Sequence, residues 1–166
     1  MFIRRTIISL ILLSGGRCVA ERGDNWIDLN VSSWHSEKRY TWQGRSAEYN
    51  ANNLGLGFTH ELSDTFEVKT GWFRNSYEKT SVYGLVGWKR DLLQRSPWLL
   101  APGVTGGLVS GYQNTPERTG EVTAWCLVML NIGHGERWRA NIGYLPSKLL
   151  EANGVELIVL QFSVKL

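Results

Sequence analysis

The sequence predicts an all-β chain, a single eight-stranded antiparallel transmembrane β-barrel. Three observations lead there. Short runs in which apolar and polar residues alternate with period two recur along the chain, and about eight of them can be counted. The connections alternate between long and short, as they do where one end of a barrel carries loops and the other is closed by turns. The final run, Val155 to Leu166, puts Ile158, Leu160, Phe162, Val164 and Leu166 on one face and Gln161, Ser163 and Lys165 on the other, and it continues to the last residue.

Composition agrees. A length of 166 residues is one domain. Hydrophobic residues make up 43% of the chain, yet the mean hydropathy is −0.20. No apolar run reaches the roughly 18 residues that a spanning helix needs. Eight Trp, six Tyr and eighteen Gly suit a barrel with aromatic girdles at the two membrane interfaces.

Residues Met1 to Ala20 read as a signal peptide: Arg4 and Arg5, then the apolar stretch Ile7 to Leu13, then Cys18-Val19-Ala20 as a small-residue cleavage site. The barrel domain is then 21–166. The signal takes Arg4, Arg5 and Arg17 with it and no acid, which leaves fifteen basic against fifteen acidic residues. The whole-chain pI of 9.0 is therefore no sign of nucleic-acid binding, and none is expected. One cysteine, Cys126, remains, so an intrachain disulfide is excluded. Metal-ligand spacing and a glycine-rich phosphate loop are both missing, so no metal and no cofactor are expected.

In chain order, Trp26 to Ser36 is the first strand, with Ile27, Leu29 and Val31 alternating with Asp28, Asn30 and Ser32. A long polar connection, Glu37 to Asn53, follows. Leu54 to Leu62 is the second strand, its apolar face interrupted by His60. After the turn at Ser63-Asp64 come Phe66 to Arg74 and, past a loop at Asn75 to Lys79, Thr80 to Lys89. Arg90 to Pro97 is a charged connection. The fifth strand, Trp98 to Tyr112, is rich in glycine and contains Pro102, which removes a ladder donor and leaves the strand locally unpaired on that side. Beyond the polar loop Gln113 to Gly120 lie Val122 to Ile132, a tight turn at Gly133-His134-Gly135, Arg137 to Leu145, the loop Pro146 to Gly154, and the last strand.

With the N-terminus in the periplasm, the first, third, fifth and seventh connections are extracellular. Trp26, Trp34, Trp72, Trp88 and Trp138 fall near strand ends, as girdle residues do. A soluble lipocalin-like carrier of an apolar ligand has the same strand count, but here the apolar faces alternate with Lys, Arg and Glu. The location that follows is the bacterial cell outer membrane, with membrane lipids as partners and a monomeric state.

Two strand ends on the extracellular side carry candidate chemistry. The first ends Ser33-Trp34-His35-Ser36 and the third ends Phe73-Arg74-Asn75-Ser76-Tyr77. A serine and a histidine at neighbouring loop mouths can form a nucleophile–base pair, the imidazole taking the hydroxyl proton. A third group usually fixes the imidazole tautomer and stabilises the imidazolium. Asn75 can do the first of these but not the second. A surface histidine and a loop serine that never meet is the simpler account of the same residues. Lys38, Arg39 and Arg74 have the charge to hold anionic lipid headgroups, and are equally what a solvated loop face carries.

Trp34-His35 at the end of the first strand, Tyr49-Asn50 followed by Gly55-Leu56-Gly57-Phe58, and Phe73-Arg74-Asn75-Ser76 before an aromatic residue together resemble the lipid A palmitoyltransferase family of outer-membrane enzymes. Gly143-Tyr144-Leu145-Pro146 is similar to that family's proline-marked break between strands, with Pro102 a related feature. The resemblance runs from about Trp26 to Leu166. It implies a barrel whose interior holds one acyl chain, and transfer of a palmitoyl group from a phospholipid to lipid A in the outer leaflet. It also implies a catalytic set falling on His35, Asn75 and Ser76. Three departures accompany it. The family's aspartate is Asn75 here, the amphipathic helix ahead of the first strand has only Glu21 to Asn25 to form from, and the first strand lacks the family's prolines. Two readings follow: an acyltransferase-like enzyme, and a non-enzymatic small barrel that binds a ligand or partner through its long first loop.

Overall fold

The computed structural model describes residues 23–42, 44–95, 97–111, 122–134, 137–146 and 155–166. The expected signal peptide lies outside them, as do the loop Gln113 to Gly120 and most of the loop after Pro146. Among the described residues there are eleven strands: β1 (Asn25–His35), β2 (Arg39–Trp42), β3 (Arg45–Glu48), β4 (Gly55–Glu61), β5 (Phe66–Arg74), β6 (Thr80–Lys89), β7 (Leu93–Arg95), β8 (Trp98–Ser110), β9 (Val122–His134), β10 (Trp138–Leu145) and β11 (Leu157–Lys165). Eight of them form the wall, in the order β6-β5-β4-β1-β11-β10-β9-β8, and β6 pairs with β8 to close it. All wall pairings are antiparallel. Closure leaves no sheet edge, which is what lets strands sit in lipid.

The alternation seen in the sequence is an inside–outside pattern, and it is inverted relative to a water-soluble protein. Ile27, Leu29, Leu56, Phe58, Val82, Val86, Val104, Leu108, Val128, Phe162 and Val164 are exposed on the outer wall. Asp28, Thr59, Glu67, Lys69, Arg139, Asn141 and Ser163 are buried in the lumen. A soluble lipocalin-like carrier would bury the first set and expose the second. Trp34 and Trp72 are exposed near one rim; Trp88, Trp98 and Trp138 are exposed near the other. Trp26 departs from the girdle expected of it. It points inward, 7% exposed, with the Arg139 guanidinium 4.2 Å over its ring. That contact pairs a cation with a π face in a site shielded from water.

The rim where Trp26 pairs with Lys165 is called lower here, and the rim that ends at His35 upper. The lower lumen is filled by a charged cluster. Lys89 Nζ bonds Glu61 Oε1, Arg139 reaches Glu61 at 2.8 Å and Glu67 at 3.2 Å, and Lys69 lies 3.0 Å from Glu67. Higher up, Asp28 accepts from Thr59 and Ser163, while Asn141 donates to Ser163 at 2.7 Å and to Gln161 at 3.0 Å. Above this polar layer the lumen turns apolar, with Tyr83, Val109, Trp125, Leu127, Met129, Leu145 and Leu157 packed together.

Two connections expected to be irregular are hairpins. Residues 39–48 pair as β2 and β3, with Gly44 at φ 73° making the turn and Arg39 Nε donating to Ser46 Oγ at 2.9 Å. Only glycine takes that left-handed φ without strain. Residues 93–95 pair with the start of β8 as β7.

Strand β1 holds a bulge. Asn30 pairs with Gln161 but Ser32 pairs with Leu160, so Val31 is the extra residue. An inserted residue flips every later side chain to the other face. Strict alternation would turn Trp34 into the lumen and His35 toward lipid. With the bulge, Trp34 is 58% exposed on the outer wall and His35 points in.

Deleting Val31 should undo that flip. The share of fluorescence that Trp34→Phe removes is expected to be quenched by bromine-labelled lipid chains in the parent and to escape quenching in the deletion variant. Equal quenching in both would show that the bulge does not set the facing of β1.

Candidate functional site

The site is assembled at the upper rim from three segments. β1 brings His35, one residue beyond the Trp34 girdle and so above the membrane-spanning part of the wall. The turn between β5 and β6 brings Asn75 and Ser76. A strap, Tyr49 to Asn53, stitches the two together. Ser33 N donates to Ala51 O at 2.9 Å and Asn53 N to Val31 O at 3.1 Å on the β1 side; Asn50 N donates to Ser76 O at 2.8 Å and Asn53 Nδ2 to Arg74 O at 2.8 Å on the turn side. These asparagines read as loop solvation in the sequence. Their cross-strand bonding fixes the spacing of the site, and the signal that marks them is the density of Asn in Asn50, Asn52 and Asn53.

His35 Nε2 lies 2.8 Å from Ser76 Oγ. Ser76 is fully buried. With the imidazole proton on Nδ1, Nε2 accepts the serine hydroxyl, the arrangement a general base requires. The ring is stacked on Tyr49, centroids 4.4 Å apart and 5° from parallel, which fixes its plane. Tyr40 and Tyr77 complete an aromatic cluster, each 5.0 Å from the other and 5.0 and 5.8 Å from Tyr49. Burial lowers the His35 pKa from 6.5 to about 4, so the imidazole is neutral at pH 7. Burial also raises Tyr49 above its ordinary value, with the Tyr77 hydrogen bond acting against it.

Asn75 has a different task from the one expected of it. Its Nδ2 donates to Ser81 Oγ at 3.0 Å and Gly111 O at 3.1 Å, and its Oδ1 accepts from the backbone of Tyr77 at 2.9 Å and Lys79 at 3.0 Å. An amide offers two donors and two acceptor sites. All four are used, so none is left for the imidazole. Asn75 is the cap of the β5–β6 turn, whose fourth residue, Glu78, sits at φ 63°. Gly111, at φ 80°, lets its carbonyl reach Asn75; a Cβ there would lie 2.9 Å from Ser81 Oγ.

The lumen holds a cavity of about 680 Å³ including its open mouth, lined by neither His35 nor Ser76. Phe73, Tyr83, Leu85, Val109, Trp125 and Leu127 supply most of its apolar wall, Ser33 and Asn53 lie toward the rim, and Lys69 and Asn141 toward the floor. Inward glycines make room. A Cβ on Gly57 or Gly71 would fall 2.1 or 2.6 Å from Tyr83 Oη, so the Tyr83 side chain lies flat across that part of the wall.

The candidate headgroup residues are at the upper rim. Arg39 and Arg74 each make an exposed ion pair, with Glu48 at 3.4 Å and Glu78 at 3.6 Å, and Lys38 is exposed. Exposed pairs of this kind hold weakly, about 0–1 kcal/mol, so neither fixes its arginine in place. The two prolines behave differently. Pro102 lies low in β8, far from His35, in register with Leu130, and its carbonyl accepts from Arg90 N at 3.0 Å. Its missing N–H faces the gap between β6 and β7, so the β8–β9 ladder is not broken there. Pro146 follows β10 at the upper rim. Among the described residues the β9–β10 ladder runs to Tyr144↔Val128 and the β8–β9 ladder to Ser110↔Val122.

Two measurements test this geometry. NMR titration of His35 should give a midpoint near 4 in place of 6.5. Between those values the unfolded chain binds a proton that the folded chain does not, so stability should fall as pH drops from 6.5 toward 4. A midpoint near 6.5 would show that the ring is not held in the buried stack. Asn75→Asp should destabilise the fold by about 1–3 kcal/mol, because two donated hydrogen bonds become an anion facing the Gly111 carbonyl. An unchanged urea midpoint would remove Asn75 from its role as the turn's cap.

No family model matches the chain, and a search of curated proteins returns no match. Among solved structures, the chain is similar to a designed protein described under "De novo design of transmembrane beta-barrels", at 10% identity and a TM-score of 0.57, over 88% of this chain and 98% of that one. At that identity the likeness concerns the fold alone: a closed eight-stranded transmembrane β-barrel.

Proposed function

We propose that this chain is an acyltransferase-like barrel of the bacterial outer membrane, similar in design to the lipid A palmitoyltransferases, which moves an acyl chain from a phospholipid to lipid A. The observation that carries this reading is the His35–Ser76 hydrogen bond at the upper rim of a barrel whose lumen holds an apolar cavity, with Ser33 of β1 and Asn53 of the strap on the cavity wall. A nucleophile with a neutral base at a lipid-facing rim needs a place to put the chain of its ester, and the cavity is that place. In this reading Pro146, where β10 ends, marks the side on which a chain enters from the bilayer.

In this reading Ser76 Oγ attacks the ester carbonyl while His35 Nε2 takes its proton. The tetrahedral intermediate collapses, the C–O bond to the lysophospholipid breaks, and His35 returns the proton to the departing oxygen. A hydroxyl of lipid A then attacks the acyl-serine, losing its proton to His35, and Ser76 leaves with that proton. Ser33 lines the cavity with its buried Oγ unbonded, and on a side-chain rotation that hydroxyl would donate to the carbonyl oxygen as charge develops on it. Lys38, Arg39 and Arg74 hold lipid phosphates. The pair works without a carboxylate from position 75, and a base held near 4 is weak, so the chemical step is slow.

One observation favours the second reading, a non-enzymatic barrel. Asn75 is spent on the turn, where the family it resembles has a charged residue. The full chain, refolded with phospholipid carrying a labelled acyl group and with lipid A, decides between them. Transfer is expected, and Ser76→Ala or His35→Phe (which keeps the stack on Tyr49) should lower it by about 10³-fold or more. No transfer from a chain shown by its unfolding curve to be folded would establish the binding barrel.

A further inference from the structure

An imidazole that serves as base to a serine needs a third group, one that holds the ring in position and stabilises the imidazolium when it forms. Asn75 does neither, since its amide is spent on the β5–β6 turn. Among the described residues, no carboxylate or amide takes its place. Ser76 Oγ is the hydrogen-bond partner of His35, and the ring's other close neighbour is Tyr49, 5° from parallel with centroids 4.4 Å apart. Tyr49 is itself held from three sides. Its backbone N donates to Lys38 O at 3.0 Å, its phenol bonds that of Tyr77, and Tyr40 of β2 packs on it at 5.0 Å. The next residue, Asn50, donates its backbone N–H to Ser76 O at 2.8 Å, and Tyr77 follows Ser76 directly. The ring under the imidazole and the serine beside it are therefore fixed to one another.

We propose that Tyr49 is the positioning residue of this site and stands where a triad has its third member: its ring face fixes the plane of His35 and receives the imidazolium as it forms. This role rests on the acyltransferase reading. A parallel stack stops the imidazole from tilting, so Nε2 stays on Ser76 Oγ. When Nε2 takes the serine proton, the ring becomes a cation. The negative face of an aromatic ring attracts a cation, most strongly where water is excluded. That attraction offsets part of the cost that burial places on the charged imidazole. The long first connection thereby acquires a task, since β2 carries Tyr40 and β3 leads straight into Tyr49.

The test is NMR of the full chain, labelled with nitrogen-15 at histidine and held in lipid nanodiscs, run beside the acyl-transfer assay. The His35 signals are identified by their loss in His35→Phe. With Nε2 accepting from the serine hydroxyl, neutral His35 carries its proton on Nδ1, whereas a free imidazole favours the other tautomer. At pH 7 the parent should show the Nδ1–H form. Tyr49→Phe keeps the ring face and loses only the bond to Tyr77, so it should keep that form and most of the transfer. Tyr49→Leu keeps bulk and loses the face; it should move His35 to the Nε2–H form and lower transfer about tenfold. An unfolding curve checks that each variant is folded. In a parent that transfers, a Leu variant with the parent's rate or the parent's tautomer would overturn the role, and so would a Phe variant that behaves like the Leu one. Should the parent transfer nothing while Tyr49→Leu still shifts the tautomer, Tyr49 orients His35 all the same and the acyltransferase reading alone falls.

Discussion

In a bilayer a peptide group has no partner except another peptide group. That constraint organises everything else in this molecule. It forces the wall to close through the β6–β8 pairing and turns the hydrophobic side chains outward. An eight-stranded ring is narrow, with room for side chains or one small ligand. The lumen is thus a column in which each level is set by a handful of inward residues. At the bottom those residues are charged, in the middle they are amides and hydroxyls, and at the top they are apolar. The gradient gives the barrel a closed end and an open one.

The open end depends on an irregularity. A regular β1 would aim His35 at lipid. The extra residue at Val31 rotates the last four residues of the strand and brings the imidazole onto Ser76. The asparagine strap then holds β1 and the β5–β6 turn at that separation. Strand geometry is responsible for the direction of the site and loop bonding for its distance, so neither alone specifies it.

Much of this was legible in the sequence. The limits of β5 and β6, Phe66–Arg74 and Thr80–Lys89, follow from alternation alone because both strands are regular. Topology puts the ends of β1 and β5 at one rim, but the simpler account of that spacing is that His35 and Ser76 never meet, and their 2.8 Å contact is visible only in the structure. The bulge was hidden, since alternation counts residues and cannot see an insertion; the adjacent polar pair Ser32-Ser33 was its only trace. Trp26 was assigned to a girdle because its partner, Arg139, is more than a hundred residues away in sequence. Asn75 was misjudged for a chemical reason. The same amide can orient a histidine or cap a turn, and the residues that settle the choice, Ser81 and Gly111, give no local sign of doing so. The hairpins at 39–48 and 93–100 were concealed by their charged residues, which cross-strand pairing with Glu48 and with β8 accommodates.

The knot of charges at the lower end has an electrical meaning. Glu61, Glu67, Lys89 and Arg139 are locked to one another with almost no exposure to water. An ion travelling down the lumen would have to shed its hydration and then pull apart pairs that already neutralise each other. The barrel is an insulator in the shape of a pipe. A cell can hold it in the membrane in large numbers without leaking salt through it.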